Sequence, residues 1–155
     1  DKLFETFEST LSNFDNEHGM ANSRARIRMT TLYQVAAANK GIVVGTGNKV
    51  EDFGVGFYTK YGDGGVDISP IADCNKSDVW EIGKSLNILN EIIEAPPTDG
   101  LWDDGRTDEG QLGLKYEELE EAMNNPKSIN REKYEKIRNM NLHKMEPIPV
   151  CKIPN

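Results

Sequence analysis

Apolar residues recur at intervals of three or four over much of this chain, which is the spacing of helices with one buried face. The first such run covers residues 1–16, and Gly19 is expected to break that helix. A second helix is predicted to begin at Asn22 or Ser23, either of which can cap it, and to run to about Asn39. The amino-terminal quarter of the chain is therefore expected to consist of two helices.

More helices are predicted in the second half of the chain. Asn75 is a candidate cap for a third helix, and the pair Pro96-Pro97 must end any helix that reaches it. Residues 98–113 are polar and rich in glycine and acidic side chains, which predicts a loop. Two further helices are predicted over about 116–123 and 130–141.

Between these helical regions lies the short β-branched run Ile42-Val43-Val44, which is followed at once by glycine. Such a run is typical of a buried strand in a parallel sheet. Residues 66–71 are a second candidate strand, although Pro70 limits its pairing. This alternation of helices and strands predicts an α/β fold. Two strands are few for such a sheet, which indicates that the rest of the sheet lies elsewhere.

The size and charge of the chain limit the kinds of partner that it is expected to bind. Its 155 residues are predicted to form one domain, residues 1–155. The formal net charge of −8 repels nucleic acid and anionic membranes at long range, so neither is an expected partner. No stretch approaches the roughly 20 apolar residues that span a bilayer, and a cytoplasmic location is the expectation.

Candidate ligand-binding residues follow the first predicted strand. Thr46 and Gly47 lie just past its carboxyl end, where ligands bind in open α/β sheets. Glu51 is a plausible ligand for Mg²⁺ beside bound phosphates, although a lone glutamate is more often a solvated acid. Lys60 precedes a glycine-rich turn and could reach a phosphate or carboxylate, although a surface lysine is the ordinary alternative.

Three arginines alternate along the second predicted helix. Arg24 and Arg28 share one face of it, and Arg26 points well away from that face. One of these two orientations could turn toward a ligand. The alternative is an exposed basic helix that pairs with the acidic surface, and the spacing alone favours that alternative.

The string GTGNKVEDFGVGFYTKYGDGGVDISPIADCNK, residues 45–76, closely resembles the signature of the NAD synthetases. Its core TKYGDGGVDI is the most specific part. The similarity extends to residues 25–29, 97–99 and 143–144 and so covers almost the whole chain. It implies an adenine nucleotide alpha hydrolase-like, Rossmann-like three-layer α/β fold with a parallel sheet.

The resemblance implies an N-type ATP pyrophosphatase that makes NAD. Such an enzyme adenylates the nicotinate carboxylate of deamido-NAD with ATP and Mg²⁺, and ammonia then displaces AMP from the acyl adenylate. No side chain acts as a nucleophile, so no catalytic residue is assigned. The residues it assigns by motif position are Thr46, Lys76 and Thr98 for ATP, Glu51 for Mg²⁺, and Arg26, Lys60, Asp67, His143 and Lys144 for deamido-NAD.

Two departures from the family pattern stand out. The family's Ser-Gly-Gly-x-Asp-Ser loop, which grips the ATP phosphates, does not occur in these 155 residues. We therefore expect a carboxyl-terminal portion that lacks the amino-terminal strands and the phosphate loop and has no turnover alone. In addition, the stretch between Glu51 and Phe57 is one residue longer than in some relatives, which leaves the placement of Asp52 and Phe53 open.

Other interpretations remain open at this point. The chain could belong to another N-type ATP pyrophosphatase, such as the GMP synthetases, although the core motif argues against it. It could also be a non-catalytic nucleotide-binding or assembly module. The expected nitrogen donor is free ammonia, and the resemblance implies a homodimer, for which the predicted helices at 1–16 and 23–39 are candidate interface elements.

Overall fold

The computed structural model describes residues 2–153. Within them lie a 3₁₀ turn (Ser12–Phe14), a π-helical turn (Val50–Val55) and seven α-helices. The helices are α1 (Lys2–Thr10), α2 (Glu17–Ala38), α3 (Lys76–Ser85), α4 (Asn90–Ile93), α5 (Asp108–Leu112), α6 (Tyr116–Asn124) and α7 (Arg131–Met145). None of the helices in this part of the chain is long and apolar enough to cross a membrane.

The two predicted amino-terminal helices exist, but their boundary differs from the prediction. The first ends at Thr10 and is followed by the 3₁₀ turn, and the second begins at Glu17. Asn16 caps α2, because its Oδ1 accepts a hydrogen bond from the Gly19 amide at 2.7 Å. Gly19 therefore lies in the first turn of α2, and the prediction that it breaks a helix was wrong.

The predicted parallel sheet is not observed in residues 2–153, which contain no regular strand. The two candidate strands meet in a single parallel bridge between Val44 and Ile68. The Gly45 amide donates to the Ile68 carbonyl at 2.7 Å, and the Asp67 amide donates to the Val43 carbonyl at 3.0 Å. Val44 remains 52% exposed, and no further strand within residues 2–153 extends the ladder.

The core forms where the π-helical turn packs against α6 and α7. Val50 and Val55, one at each end of the turn, are fully buried, and so are Leu119 and Ala122 of α6. Tyr134 brings α7 into the same cluster. Burying an aliphatic side chain of this size is worth about 1.5–3 kcal/mol, so this cluster fixes the turn against both helices.

The π-helical turn covers most of the stretch between Glu51 and Phe57 that was expected to be one residue longer than in some relatives. At the end of the turn, the amides of Gly56 and Phe57 both donate hydrogen bonds to the Glu51 carbonyl. Gly56 ends the turn with φ 65°, which a residue without Cβ adopts at little cost. At the start of the turn, Asn48 Oδ1 accepts from the Val50 amide at 3.0 Å. Glu51 and the following residue are thereby held in fixed directions.

The second half of the chain follows the prediction with three differences. The third helix was expected to continue past Leu86 and Leu89 but ends at Ser85, and the separate short helix α4 follows it. The third helix begins after Asn75, whose amide donates to Asp78 Oδ2 at 2.8 Å, and α6 begins at Tyr116. The predicted loop at 98–113 contains the short helix α5, which Thr107 caps by accepting from the Gly110 amide at 3.1 Å. The last helix runs four residues further than its predicted end at 141, to Met145.

Candidate functional site

The first group of residues in the candidate site consists of Glu51, Lys76 and Tyr116. Oε1 of Glu51 lies 3.2 Å from the Lys76 ammonium and accepts a hydrogen bond from the Tyr116 hydroxyl at 2.6 Å. The side chains of Glu51 and Lys76 are 16% and 18% exposed, so this ion pair is well shielded from water. Lys76 also lies 4.8 Å from the centre of the Tyr116 ring.

A second carboxylate, that of Asp108, reaches the same hydroxyl. Its Oδ2 lies 3.3 Å from the Tyr116 oxygen, and its Oδ1 is buried without a hydrogen-bond partner in the described residues. Burial, the charge of Glu51 and the charge of Asp99 raise the pKa of Asp108 to about 6. Burial and the two neighbouring carboxylates also raise the pKa of Tyr116. The phenol therefore stays protonated, as a donor must.

The donor set of this group fits Mg²⁺ as a partial site. Mg²⁺ prefers oxygen ligands and is usually held by one or two carboxylates together with substrate phosphates and water. Glu51 supplies one such carboxylate, and Asp108, which accepts from the same Tyr116 hydroxyl, has a second oxygen without a hydrogen-bond partner in the described residues. No group of three or more histidine, cysteine or acidic side chains in residues 2–153 could hold a metal ion by itself. The remaining ligands would have to come from a bound molecule, water or another segment.

Three residues predicted to bind one ligand are joined in a second group. Arg26 on α2 donates from Nε and from one terminal nitrogen to the Lys60 carbonyl, each at 3.3 Å. The Lys60 ammonium in turn donates to the carbonyl of His143 near the end of α7, at 2.6 Å. The imidazole of His143 belongs to an exposed residue. The structure thus brings together residues that lie far apart in the sequence.

Lys144 lies beside this second group. Its ammonium donates to the carbonyls of Gly56 and Tyr58 at 2.8 and 2.7 Å, and the Tyr58 hydroxyl donates to the Lys144 carbonyl at 2.6 Å. Burial lowers the pKa of Lys144, and the charge of Asp63 opposes that effect. These three hydrogen bonds fix the end of α7 against the segment that follows the π-helical turn.

A cavity of about 240 Å³ opens between Lys144 and the glycine turn at 45–47. Asp52 lines it, and its carboxylate lies directly against the backbone of Gly47, where an added Cβ would fall 2.3 Å from either oxygen. Burial, with smaller contributions from Glu51 and Asp63, raises the pKa of Asp52 to about 6. The glycine turn and Asp52 therefore form one wall of a polar cavity.

The other predicted ligand-binding residues are less clearly placed in either group. Thr46 is exposed between the two glycines of the cavity wall. Thr98 is exposed in the loop before α5, where its hydroxyl donates to the Arg106 carbonyl at 3.1 Å. Asp67 is held by the protein, since its carboxylate accepts from the Val43 amide at 2.7 Å and from the Tyr33 hydroxyl at 3.2 Å.

Some residues of the site were not singled out from the sequence. Asp108 and Tyr116 were assigned to a polar loop and to a helix start, and their proximity to Glu51 depends on how α5 and α6 pack. The pattern Thr107-Asp108-Glu109 is a helix-start signal that could have indicated α5. The sequence motif includes Asp52 but leaves its placement open. The direction of its side chain is set by the π-helical turn, which the sequence pattern did not predict.

Comparison with known proteins gives a consistent result. The family model described as NAD synthase matches residues 1–152. The chain is 43% identical over 121 residues to the NH(3)-dependent NAD(+) synthetase of Thermoplasma volcanium, covering 78% of this chain and 49% of that protein. It is 39% identical over 147 residues to the enzyme of the same name from Thermoplasma acidophilum, covering 94% of this chain and 60% of that protein.

A solved structure described as NMN synthetase from Francisella tularensis is also similar. It superposes with a TM-score of 0.86 and 33% sequence identity, over 100% of this chain and 64% of that one. The chain therefore has the architecture of part of an α/β synthetase. It spans about half the length of the curated relatives that it matches.

Proposed function

The chain belongs to the NAD synthase family, and we propose that it contributes the metal-binding and dinucleotide-binding half of an ammonia-dependent NAD synthetase. The observation that carries this proposal is the shielded Glu51–Lys76 pair. In it a carboxylate that can bind Mg²⁺ lies in contact with an ammonium that can bind phosphate. Because the chain spans about half the length of its relatives, the reaction requires a further segment that supplies the rest of the site.

The reaction has two balanced steps. A carboxylate oxygen of deamido-NAD attacks the α-phosphorus of ATP, so that one P–O bond forms and the bond to pyrophosphate breaks. Ammonia then attacks the activated carbonyl carbon, AMP leaves with the bonding electron pair, and one proton passes to solvent. Both substrates are anionic, so the protein's main tasks are to orient them and to offset their mutual repulsion.

Glu51 and Lys76 perform this task on the ATP side. Glu51 would be a ligand of Mg²⁺, which would supply positive charge beside the phosphates. Lys76, at the first position of α3, then exchanges its contact with Glu51 for a contact with a phosphate oxygen. Thr46 and Thr98 are the neutral hydroxyl donors assigned to ATP at the glycine turn and on the loop before α5.

Deamido-NAD lies against the second group in this proposal. Arg26, Lys60 and Lys144 supply positive charge close together on a chain whose net charge is −8. Lys60 and Lys144 donate to backbone carbonyls in the structure, and an anionic ligand would replace these neutral acceptors with a charged one. The assigned contacts of His143 and Asp67 complete this side.

The decisive experiment supplies the missing part of the protein. The chain is joined to the portion of the Thermoplasma acidophilum synthetase that it does not match, and NAD and pyrophosphate are measured with deamido-NAD, ATP, Mg²⁺ and ammonium. We expect the joined protein to form both products in equal amounts and the chain alone to form neither. Glu51→Gln in the joined protein should reduce turnover at least a hundredfold, because the metal loses its charged ligand.

One control variant makes the outcome interpretable. Glu91→Gln alters an exposed acid on α4 outside both groups and should leave turnover unchanged. A folded joined protein that released no pyrophosphate with deamido-NAD would overturn the proposal. Turnover of a different carbonyl acceptor, with deamido-NAD inert, would place the chain in another branch of the pyrophosphatases.

A second candidate function differs in the acceptor. The similarity to the Francisella NMN synthetase favours an amidation whose product is the mononucleotide NMN. The acceptor would then be the corresponding deamido mononucleotide, which lacks the adenylate part of deamido-NAD. Measuring kcat/KM of the joined protein for both acceptors distinguishes the two functions, and a ratio above about 10 in either direction assigns the substrate.

We also propose that the assembled protein is a homodimer that uses α2. Leu32 and Val35 lie one turn apart on this helix and are each 55% exposed, which supports an apolar contact surface. Sedimentation velocity on the joined protein should show a dimer. Leu32→Lys should shift it toward the monomer, whereas a monomeric unaltered protein would contradict the proposal.

A further inference from the structure

The two carboxylate oxygens of Glu51 are used unequally. Oε1 accepts from the Tyr116 hydroxyl at 2.6 Å and contacts the Lys76 ammonium at 3.2 Å. Oε2 accepts no hydrogen bond from any residue in 2–153, and it is not among the fully buried atoms that lack a partner. One oxygen is thus occupied by the protein, and the other is accessible for a ligand.

The two donors on Oε1 differ in mobility. Tyr116 is fully buried, and its ring packs edge-on against Trp80 with centres 6.2 Å apart. Its amide donates to Glu109 Oε1 at 3.1 Å, so the ring and the backbone are both fixed. Lys76 has four rotatable side-chain bonds and, in the function proposed above, moves to a phosphate when ATP binds. After that exchange, Tyr116 is the donor that remains on Oε1.

We propose that Tyr116 is a positioning residue, which keeps Oε1 of Glu51 hydrogen-bonded and thereby directs Oε2 to a divalent cation. This inference rests on the assignment of the metal to Glu51 in the proposed function. Asp108 also accepts from this hydroxyl, with its Oδ2 3.3 Å from the Tyr116 oxygen. Tyr116 does not touch a substrate, so its effect passes through Glu51.

The physical reason is the orientation of a metal ligand by its neighbours. A carboxylate that rotates freely presents either oxygen, whereas a hydrogen bond to one oxygen fixes which lone pairs face the ion. Removing such an outer hydrogen bond typically weakens metal binding about 10- to 100-fold. A tyrosine hydroxyl suits this role because it is neutral and does not repel the cation, unlike the ammonium of Lys76.

The test measures Mn²⁺ binding to the joined protein described above, with a non-hydrolysable ATP analogue present, by the electron paramagnetic resonance signal of the free ion. Four proteins are compared: unaltered, Tyr116→Phe, Tyr134→Phe and Glu51→Gln. Glu51→Gln defines the share of binding that depends on the ligand itself. Tyr134 is a matched control, since it is 5% exposed in the same core cluster and its hydroxyl has no hydrogen-bond partner in the described residues.

We expect Tyr116→Phe to weaken the Glu51-dependent binding about tenfold, with Tyr134→Phe unchanged. Equal binding by the two phenylalanine variants, while Glu51→Gln loses it, would overturn the positioning role and leave the metal assignment intact. No loss in Glu51→Gln, or no such binding in the unaltered joined protein with the ATP analogue present, would instead refute the metal assignment and the inference with it. These failures are therefore distinguishable.

A second variant guards against misfolding of Tyr116→Phe. Glu51→Asp retains the carboxylate but shortens the side chain by one methylene, which moves the acid away from the fixed Tyr116 hydroxyl. Its binding of Mn²⁺ should also fall about tenfold. Binding as tight as in the unaltered joined protein would contradict the proposal. Circular dichroism spectra of each variant establish that the fold is retained.

Discussion

Asp108→Asn should stabilise the chain at neutral pH and alter how its stability depends on pH. The pKa of Asp108 is about 6 in the folded chain, against an ordinary value of 3.8, because the carboxyl is buried close to other acids. Between these two values the folded chain binds more protons than the unfolded chain. The contribution of Asp108 to stability is therefore greatest below about pH 4 and is lost as the pH rises to about 6.

The magnitude follows from the same two values. A pKa change from 3.8 to about 6 corresponds to about 3 kcal/mol between the protonated and ionised forms. Hydration that persists around the site reduces this to about 1–2 kcal/mol in practice. Asparagine has the size of aspartate without its charge, so Asp108→Asn should be more stable by about 1–2 kcal/mol at pH 7.5 and similar to the unaltered chain at pH 4.

The assay is urea unfolding, followed by far-ultraviolet circular dichroism, at intervals between pH 4 and pH 8. Asp52, whose pKa is also raised to about 6, contributes in the same direction and remains in the variant. Burial raises the pKa of Asp63 too, so the fall in stability across this range should be reduced but not abolished. Asp15→Asn, at an exposed position, serves as the control and should parallel the unaltered chain. An Asp108→Asn chain that is less stable at pH 7.5 would refute the reasoning.

Two further predictions concern the backbone and the loop before α5. Gly56→Ala should destabilise the chain by about 2–4 kcal/mol in urea unfolding, because φ is 65° and the new Cβ would lie 2.6 Å from Asn141 Cβ. Gly100→Ala has a similar φ of 59° but no atom within 4 Å, so it should cost about 1 kcal/mol, and equal losses would contradict the steric argument. Arg28→Ala removes donors to two loop carbonyls, one of them that of Gly100 at 2.7 Å, and should speed hydrogen exchange of the Leu101 amide roughly tenfold. Unchanged exchange would show that Arg28 does not hold the loop.

Local signals in the sequence predicted most of the helices. Asn75 at the start of α3 and Tyr116 at the start of α6 lie where capping and apolar spacing place them. The error at Gly19 has a simple cause, since an isolated glycine signals a helix end less strongly than the Asn16 side chain signals a helix start. The short helix α5 was missed because five residues are too few to show a period.

The sheet could not be assessed from local pattern in the same way. Ile42-Val43-Val44 has the composition of a buried strand, but a strand needs neighbours to which its amides and carbonyls can bond. In residues 2–153 the neighbour is limited to the bridge at Ile68. Ile42 is 58% exposed and Val44 is 52% exposed. The apolar run in the sequence therefore indicates a buried strand, but residues 2–153 do not bury it.

The sequence motif identified candidate residues, but it did not show which of them contact one another. The contacts that join Lys60 to His143 and Glu51 to Tyr116 span 83 and 65 positions of sequence, so no local pattern could have indicated them. Whether Thr46 and Thr98 share a ligand remains a prediction. The supporting residues were the hardest to find, because a buried tyrosine in a helix is most often a packing residue.

The π-helical turn explains how adjacent acids can serve different parts of one site. Glu51 faces Lys76 and Tyr116, whereas Asp52, the next residue, lies against Gly47 and lines the cavity. Val50 and Val55, at the two ends of the turn, are fully buried, so the core holds the backbone from which both acids project. In the proposed function two bound anions must be held in a fixed relative position. One turn that directs Glu51 to the proposed metal site and Asp52 to the cavity wall would couple the positions of these two regions.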